Sequence, residues 1–227
     1  MIGWIRRRRV HLSARRFILL DLGLFAALLV AVKANASAEI DVSITLRIQA
    51  AKSRAFARLM RAVSWPGFPP QSRIIPPLVI AGWWASGRRL AAGIQLAGWG
   101  TAAIATGVKA VIRRPRPLPP QVEVVVAPLG GTSFPSGHVL TYVGVYGTLA
   151  YLLAINISSA VPRTLAVGSL AGLVALVGPS RIQEGHHWPT DVLASYLLGS
   201  AYLLALIEVH ARLSEAHTPI RWLSRTP

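Results

Sequence analysis

The sequence predicts an all-α fold: a polytopic membrane helical bundle of about six transmembrane helices plus an amphipathic interfacial helix. Three observations predict it. The 227 residues are 53% hydrophobic and only 14% charged, with a mean hydropathy of +0.49, whereas a soluble domain carries about 25% charged residues. The apolar residues gather in long Ala/Leu/Val/Ile/Gly runs that approach the roughly 20 residues needed to cross a bilayer. Polar, basic segments interrupt those runs at their ends. Cysteine is absent, which excludes disulfides, Cys-ligated metals and thiol nucleophiles.

The chain reads as a single domain over residues 1–227. Residues 1–16 form a basic leader with Arg6–Arg9, Arg15 and Arg16. The first span covers Phe17–Val32. Ala34-Asn35-Ala36 behind it resembles a signal-peptide cleavage site, but the apolar run is longer than a usual signal core, so an uncleaved anchor is expected. Residues 40–64 differ. Leu46, Ile48, Phe56, Leu59 and Val63 alternate with Arg47, Lys52, Arg54, Arg58 and Arg61 near helical spacing, which predicts one amphipathic helix on the membrane surface. Ile74–Ser86 is the second span, short and holding Pro76-Pro77, expected to kink or cap it. Leu90–Ile112, His138–Ile157, Thr164–Gly178 and Asp191–Val209 complete the six. The second and fifth fall short of a comfortable span unless the bilayer thins or the flanks extend them. Gly93, Gly98, Gly107, Gly168 and Gly172 read as sites of close helix packing.

A net charge of +16 suggests nucleic acid, but the basic residues interrupt apolar spans and do not form one stripe on a soluble surface. Anionic lipid headgroups and phosphate substrates explain the charge better. With the N-terminus inside, 12 of the 24 Lys and Arg residues face the cytoplasm. Of the other 12, Lys109, Arg113, Arg114, Arg116 and Arg181 sit in the candidate site, which leaves 12 against 7. The positive-inside rule then favours both termini in the cytoplasm and a site on the extracytoplasmic face of the plasma membrane.

Three polar segments in residues 109–191 carry the chemistry. Lys109 to Pro117 closes span three, Gly130 to His138 opens span four, and Ser180 to Asp191 joins spans five and six. The topology brings all three to the face opposite the termini. Ionisable residues at span ends are costly unless they line a polar cavity. Lys109, Arg116 and Arg181 supply cationic donors suited to phosphate oxygens. Ser136, Gly137 and His138 sit where span four begins, so backbone N–H groups of an opening helix, with a Ser136 hydroxyl, face the anion. His187 precedes Asp191 by four residues. A carboxylate on one ring nitrogen fixes the tautomer and frees the other to attack phosphorus. His138, from another segment, is the natural proton donor to the leaving group. Asp191 has only Glu184 and Glu123 near it in sequence, too few acids for a two-metal site, so neither metal nor cofactor is expected.

These segments are similar to the three motifs of the type 2 phosphatidic acid phosphatase (PAP2) superfamily, K-x6-R-P, P-S-G-H and S-R-x5-H-x3-D. Lys109, Arg116 and Pro117 match the first, Pro135 to His138 the second, and Ser180, Arg181, His187 and Asp191 the third. The resemblance implies a membrane lipid phosphatase with a phosphohistidine on His187, Asp191 orienting it, and His138 protonating the leaving group. It implies phosphate binding by Lys109, Arg116, Ser136, Gly137 and Arg181. Undecaprenyl diphosphate, phosphatidylglycerophosphate and phosphatidate are the expected substrates, in that order. A haloperoxidase-like vanadate enzyme and a non-catalytic lipid or phosphate transporter are the rival functions. Arg113 and Arg114 match no motif position and read first as headgroup contacts, then as support for the phosphate. His186 is the lesser candidate nucleophile. His11, His210 and His217 read as interfacial and inert, Asp21 as snorkelling or paired, and the tryptophans as an aromatic belt, with Trp188 able to wall the pocket.

Overall fold

The computed structural model describes residues 2–125 and 130–216, with side chains from 13 to 125 and from 130 to 215. The leader side chains Arg6–Arg9 and His11 therefore lie outside the described residues, as do His217, Arg221, Trp222 and Arg225. Among the described residues helix is the only regular structure, with no strand.

Helix α1 (Ile2–Lys33) carries the leader and first span as one piece. Asn35, in the left-handed region at φ 56°, turns the chain, a conformation that Asn tolerates better than most residues. Helix α2 (Ala38–Gln49) then leaves at 101° to α1. The expected amphipathic helix of residues 40–64 is two helices. It breaks after Gln49, and Ser53 restarts it by accepting the Phe56 N–H on its hydroxyl at 3.4 Å, an N-cap for α3 (Arg54–Ser64). The basic and apolar stripes segregate on α3, whereas α2 turns Asp41, Thr45 and Gln49 inward. A single-turn 3₁₀ segment, Trp65–Gly67, leads into α4 (Gln71–Ala85). Pro76 and Pro77 lie inside α4 and do not cap it. At 15 residues α4 is about 22 Å long.

The expected third span is also broken. Helix α5 (Arg89–Trp99) gives way at Gly100 to α6 (Thr101–Ile112), and the Thr101 hydroxyl donates to the Gly98 carbonyl. Arg113, left-handed at φ 47°, ends α6. Helix α7 (Gly137–Tyr142) runs through a π-helical turn at Val143–Gly147 into α8 (Thr148–Asn156). Helices α9 (Ala160–Gln183) and α10 (Pro189–Ala216) exceed the lengths expected for spans five and six. Among the described residues three helical stretches, Gly137–Asn156, Ala160–Gln183 and Pro189–Glu215, are individually long and apolar enough to cross a membrane, and the bent α1–α2 pair makes a fourth when taken as one span.

Polarity is inverted relative to a soluble protein. Leu19, Val30, Val111 and Val161 are about 70% exposed, while Asp41, Gln95, Thr101, Arg181 and Asp191 are buried. An apolar exterior suits hydrocarbon, where polar groups must find partners inside. Gln95 does so by donating to the Val145 carbonyl at 2.9 Å, a group in the π-helical turn. Asp21 accepts the Ser200 hydroxyl at 2.6 Å and ties α1 to α10. His210 is buried and bonded to the Tyr151 hydroxyl at 2.8 Å, so it is a helix-packing residue and not an interfacial one.

Of the five glycines read as packing sites, only Gly98 is one. A Cβ there would overlap Gly144 and Thr148, and a Cβ on Gly144 would overlap Gly98 and Thr101. Gly93, Gly107, Gly168 and Gly172 face open space. The hidden packing glycines are Gly178 and Gly199, set against Val192 with Tyr196, and against Val143.

Candidate active site

The three polar segments converge where α6 ends, α7 begins, and α9 turns into α10. Ser133 joins the first two: its N–H donates to the Arg114 carbonyl at 2.8 Å and its hydroxyl to the Pro115 carbonyl at 2.9 Å. The Ser136 N–H reaches the Asp191 carbonyl at 3.4 Å, joining the second to the third. The α9–α10 turn depends on Gly185 at φ 72°, whose missing Cβ would strike the Glu123 carbonyl. Both His186 and His187 then donate their N–H to the Arg181 carbonyl.

His187 is 2% exposed. Its Nε2 lies 3.3 Å from Arg116 Nη1. A guanidinium only donates, so Nε2 presents its lone pair and the ring proton resides on Nδ1. That atom faces Asp191 Oδ2 at 3.6 Å. Burial, reinforced by the positive charges of Arg116, Lys109 and Arg181, holds the His187 imidazole well below the ordinary histidine range. The ring is therefore neutral, with its free nitrogen turned toward the cationic groups. Asp191 is fully buried, with Oδ2 accepting the Trp188 N–H at 2.9 Å and Oδ1 accepting Arg114 Nη1 at 2.6 Å.

Of the expected phosphate donors, Arg116 touches this ring, and Lys109 and Arg181 bear on it with positive charge. Arg116 Nη1 also donates to the His186 carbonyl at 2.8 Å, and burial pulls the Arg116 pKa down. Lys109, in the last turn of α6, donates to the Thr132 carbonyl at 2.7 Å. Gly137 opens α7 with space beside it: a Cβ there would meet only Lys109 Cε, at an ordinary 3.8 Å. The Ser136 hydroxyl is buried without a partner, and so is Nε of the fully buried Arg181. Unpaired buried polar atoms are costly, and these two sit where an anion is expected to bind.

His138 stacks edge-on against Phe68 with ring centroids 4.8 Å apart, and its Nε2 has no protein partner. Gly67 presses on the ring, and a Cβ there would overlap it. Arg116 and Arg181 bear on both His138 and His187 with positive charge.

Several partners had no signal in the motifs. Arg181 Nη1 donates to Glu184 Oε2 at 2.5 Å and to the Ser64 hydroxyl of α3 at 2.8 Å, and Nη2 bonds His186 Nδ1. His186 therefore braces Arg181. Burial raises the Glu184 pKa, with Arg181 pulling against it. Arg114 is not a headgroup contact. It bonds Asp191, Asp41 and Thr190, and lies 5.9 Å from the Trp188 ring. Arg113 is exposed, and its Nε donates to the Ala110 carbonyl of the helix it ends. Trp188 anchors the motif-one tail through a 3.2 Å bond to the Pro115 carbonyl. Among the described residues no three His, Asp or Glu side chains are grouped to hold a metal ion.

A cavity of about 320 Å³ opens beside His138, Gly137 and Lys109 and runs between α4 and α6, walled by Pro76, Trp99 and Tyr146. A helical membrane bundle with a buried histidine–carboxylate pair, facing arginine and lysine beside an apolar cleft, defines a class of membrane-embedded phosphoryl-transfer protein. The chain belongs to the PAP2 superfamily, whose family model matches residues 89–215, more than half of its length.

Phosphatidylglycerophosphatase B of Bacillus subtilis is 41% identical over 68 residues, which cover 30% of this chain and 34% of that protein. The chain thus matches about a third of that relative's length. The crystal structure of a transmembrane PAP2-type phosphatidylglycerolphosphate phosphatase from Bacillus subtilis aligns with a TM-score of 0.74 at 23% identity, over 90% of this chain and 98% of that one. Aquifex aeolicus LpxE aligns with a TM-score of 0.56 at 18% identity, over 73% and 93%. These two likenesses show the fold.

Proposed function

We propose that this chain hydrolyses a phosphate or diphosphate monoester of a membrane lipid through a phosphohistidine on His187. The carrying observation is the orientation of His187, with Nδ1 toward Asp191 and Nε2 toward Arg116. In the proposed reaction Nε2 attacks the terminal phosphorus and the bond to the leaving oxygen, that of a lipid alcohol or of a lipid phosphate, breaks. His138 gives its proton to that oxygen. Water then attacks the phosphohistidine, the P–N bond breaks, and His138 takes up the water proton as inorganic phosphate forms. Lys109, Arg116, Arg181, Ser136 and the Gly137 N–H bind the phosphoryl oxygens as charge grows in the transition state.

The leaving lipid must lie beside the group that protonates it. The cavity touching His138 is mostly apolar and lies between α4 and α6, which favours a lipid alcohol over a soluble sugar. Phosphatidylglycerophosphate is our first candidate, because the relative named for that activity matches in sequence. Undecaprenyl diphosphate and phosphatidate follow. We further read α4 and the α5–α6 pair as crossings that complete six spans, with both termini cytoplasmic and the site extracytoplasmic.

The test is phosphate release by the purified chain from these three lipids in excess EDTA. Turnover of one of them, lost in His187→Ala, supports the proposal. Loss of turnover on chelation, or full activity of His187→Ala, overturns it. Bromination with added vanadate would mark a haloperoxidase instead, and phosphate binding without product release a transporter.

A further inference from the structure

We propose that Asp41, on α2, is a positioning residue for this reaction: by sharing Arg114 with Asp191, it preserves a net negative charge beside His187. The proposal rests on the phosphatase reading above. Arg114 forks between two carboxylates, Nη1 to Asp191 Oδ1 and Nη2 to Asp41 Oδ2, each at 2.6 Å. The side chains are 10% exposed for Arg114, 1% for Asp41 and 0% for Asp191. Asp41 also reaches α10 directly, accepting the Thr190 N–H at 2.9 Å and its hydroxyl at 2.7 Å. It therefore grips the residue that immediately precedes Asp191.

The charge count gives this contact a role. One guanidinium against one buried carboxylate would cancel it, and Asp191 would face His187 as half of a neutral pair. Against two carboxylates the same guanidinium leaves a net charge of −1. His187 needs that charge, because Arg116, Lys109 and Arg181 all bear on it with positive charge. Attack on phosphorus makes the ring cationic, and an anion next to Nδ1 stabilises that product and the transition state leading to it. Neither Asp41 nor Arg114 occupies a motif position, so this part of the site is additional to the three motifs.

The experiment measures kcat and KM on short-chain phosphatidylglycerophosphate, or on whichever of the three lipids proves active, with the full chain in detergent. Asp41→Asn leaves Arg114 wholly to Asp191. We expect kcat to fall about tenfold to a hundredfold, the range for residues that orient a reacting group, with KM nearly unchanged. Asp41→Glu keeps the charge and should retain most of the rate. The double variant Asp41→Asn, Arg114→Gln restores the net charge of −1 and should run faster than Asp41→Asn alone. A merely structural contact would make the double variant the slower of the two.

A folded Asp41→Asn protein with wild-type kcat overturns the proposal, and so does a folded double variant no faster than it. Should Asp41→Asn fail to fold, the double variant and Asp41→Glu decide: a lost rate in either, when folded, overturns the proposal. An inactive wild type or an active His187→Ala counts against the phosphatase reading instead.

Discussion

His187 concentrates the consequences of burial at a single ring. Its depressed pKa keeps Nε2 unprotonated through the neutral range, so the proposed nucleophile remains available into mildly acid solution. The acid limb of kcat/KM should therefore lie below about 6.5, the ordinary histidine value; a limb centred there would contradict the burial argument. The same shift sets a sign for stability. Below about pH 6.5 the unfolded chain takes up a proton that the buried ring refuses, so folding stability should fall as the medium acidifies.

Arg181 shows the cost of the opposite arrangement. Its charge is wholly buried and matched by Glu184, so Glu184→Ala strands a buried cation. We expect a loss of about 3 kcal/mol or more, read from unfolding in detergent. Residues of this kind divide what sequence alone makes legible from what it does not. Lys109, His138, His187 and Asp191 stand out because polar groups at the ends of apolar runs require a reason. Asp41 and Ser64 do not, because each sits in a helix whose pattern reads as surface, and only the fold turns them inward.

At the scale of elements, hydropathy locates apolar runs but is blind to breaks within them. Gly100 interrupts residues 90–112 without any loss of hydrophobicity, and the pause before Ser53 divides what spacing presents as one amphipathic helix. Glycine spacing misled for a related reason. It marks small residues but not the face they lie on, and four of the five glycines look outward. Two substitutions separate these cases. Gly144→Ala forces a methyl against Gly98 and Thr101, and should cost about 1–3 kcal/mol in detergent unfolding, the range for overpacking. Gly168→Ala, in open space, should be neutral or slightly stabilising through helix propensity. Gly67→Ala tests position without touching any motif. It would push the His138 ring aside and should lower kcat strongly while the protein stays folded.

At the scale of the whole molecule, an apolar exterior surrounds a polar interior, and the proposed site lies where the two meet. Composition alone carried the membrane assignment. The cleft between α4 and α6 depended on helix rotation, which no sequence pattern states. Ala102 lines that cleft, so Ala102→Phe would narrow it without altering any motif residue. The expected result is a raised KM for lipid substrates with little change for a small soluble phosphate ester, measured side by side. An equal effect on both would show that the lipid lies elsewhere.

The left-handed turn at Asn35 lies some 150 positions before His187, yet it sets the direction from which α2 arrives. A valine here would resist that backbone conformation, and the elbow would tend to open. Every motif letter would survive, while the carboxylate of residue 41 would swing out of reach and leave its arginine with a single carboxylate. A sequence scan would still score such a protein as complete. Its weakness would lie in chain direction, far upstream of the residues by which an enzyme of this kind is usually judged.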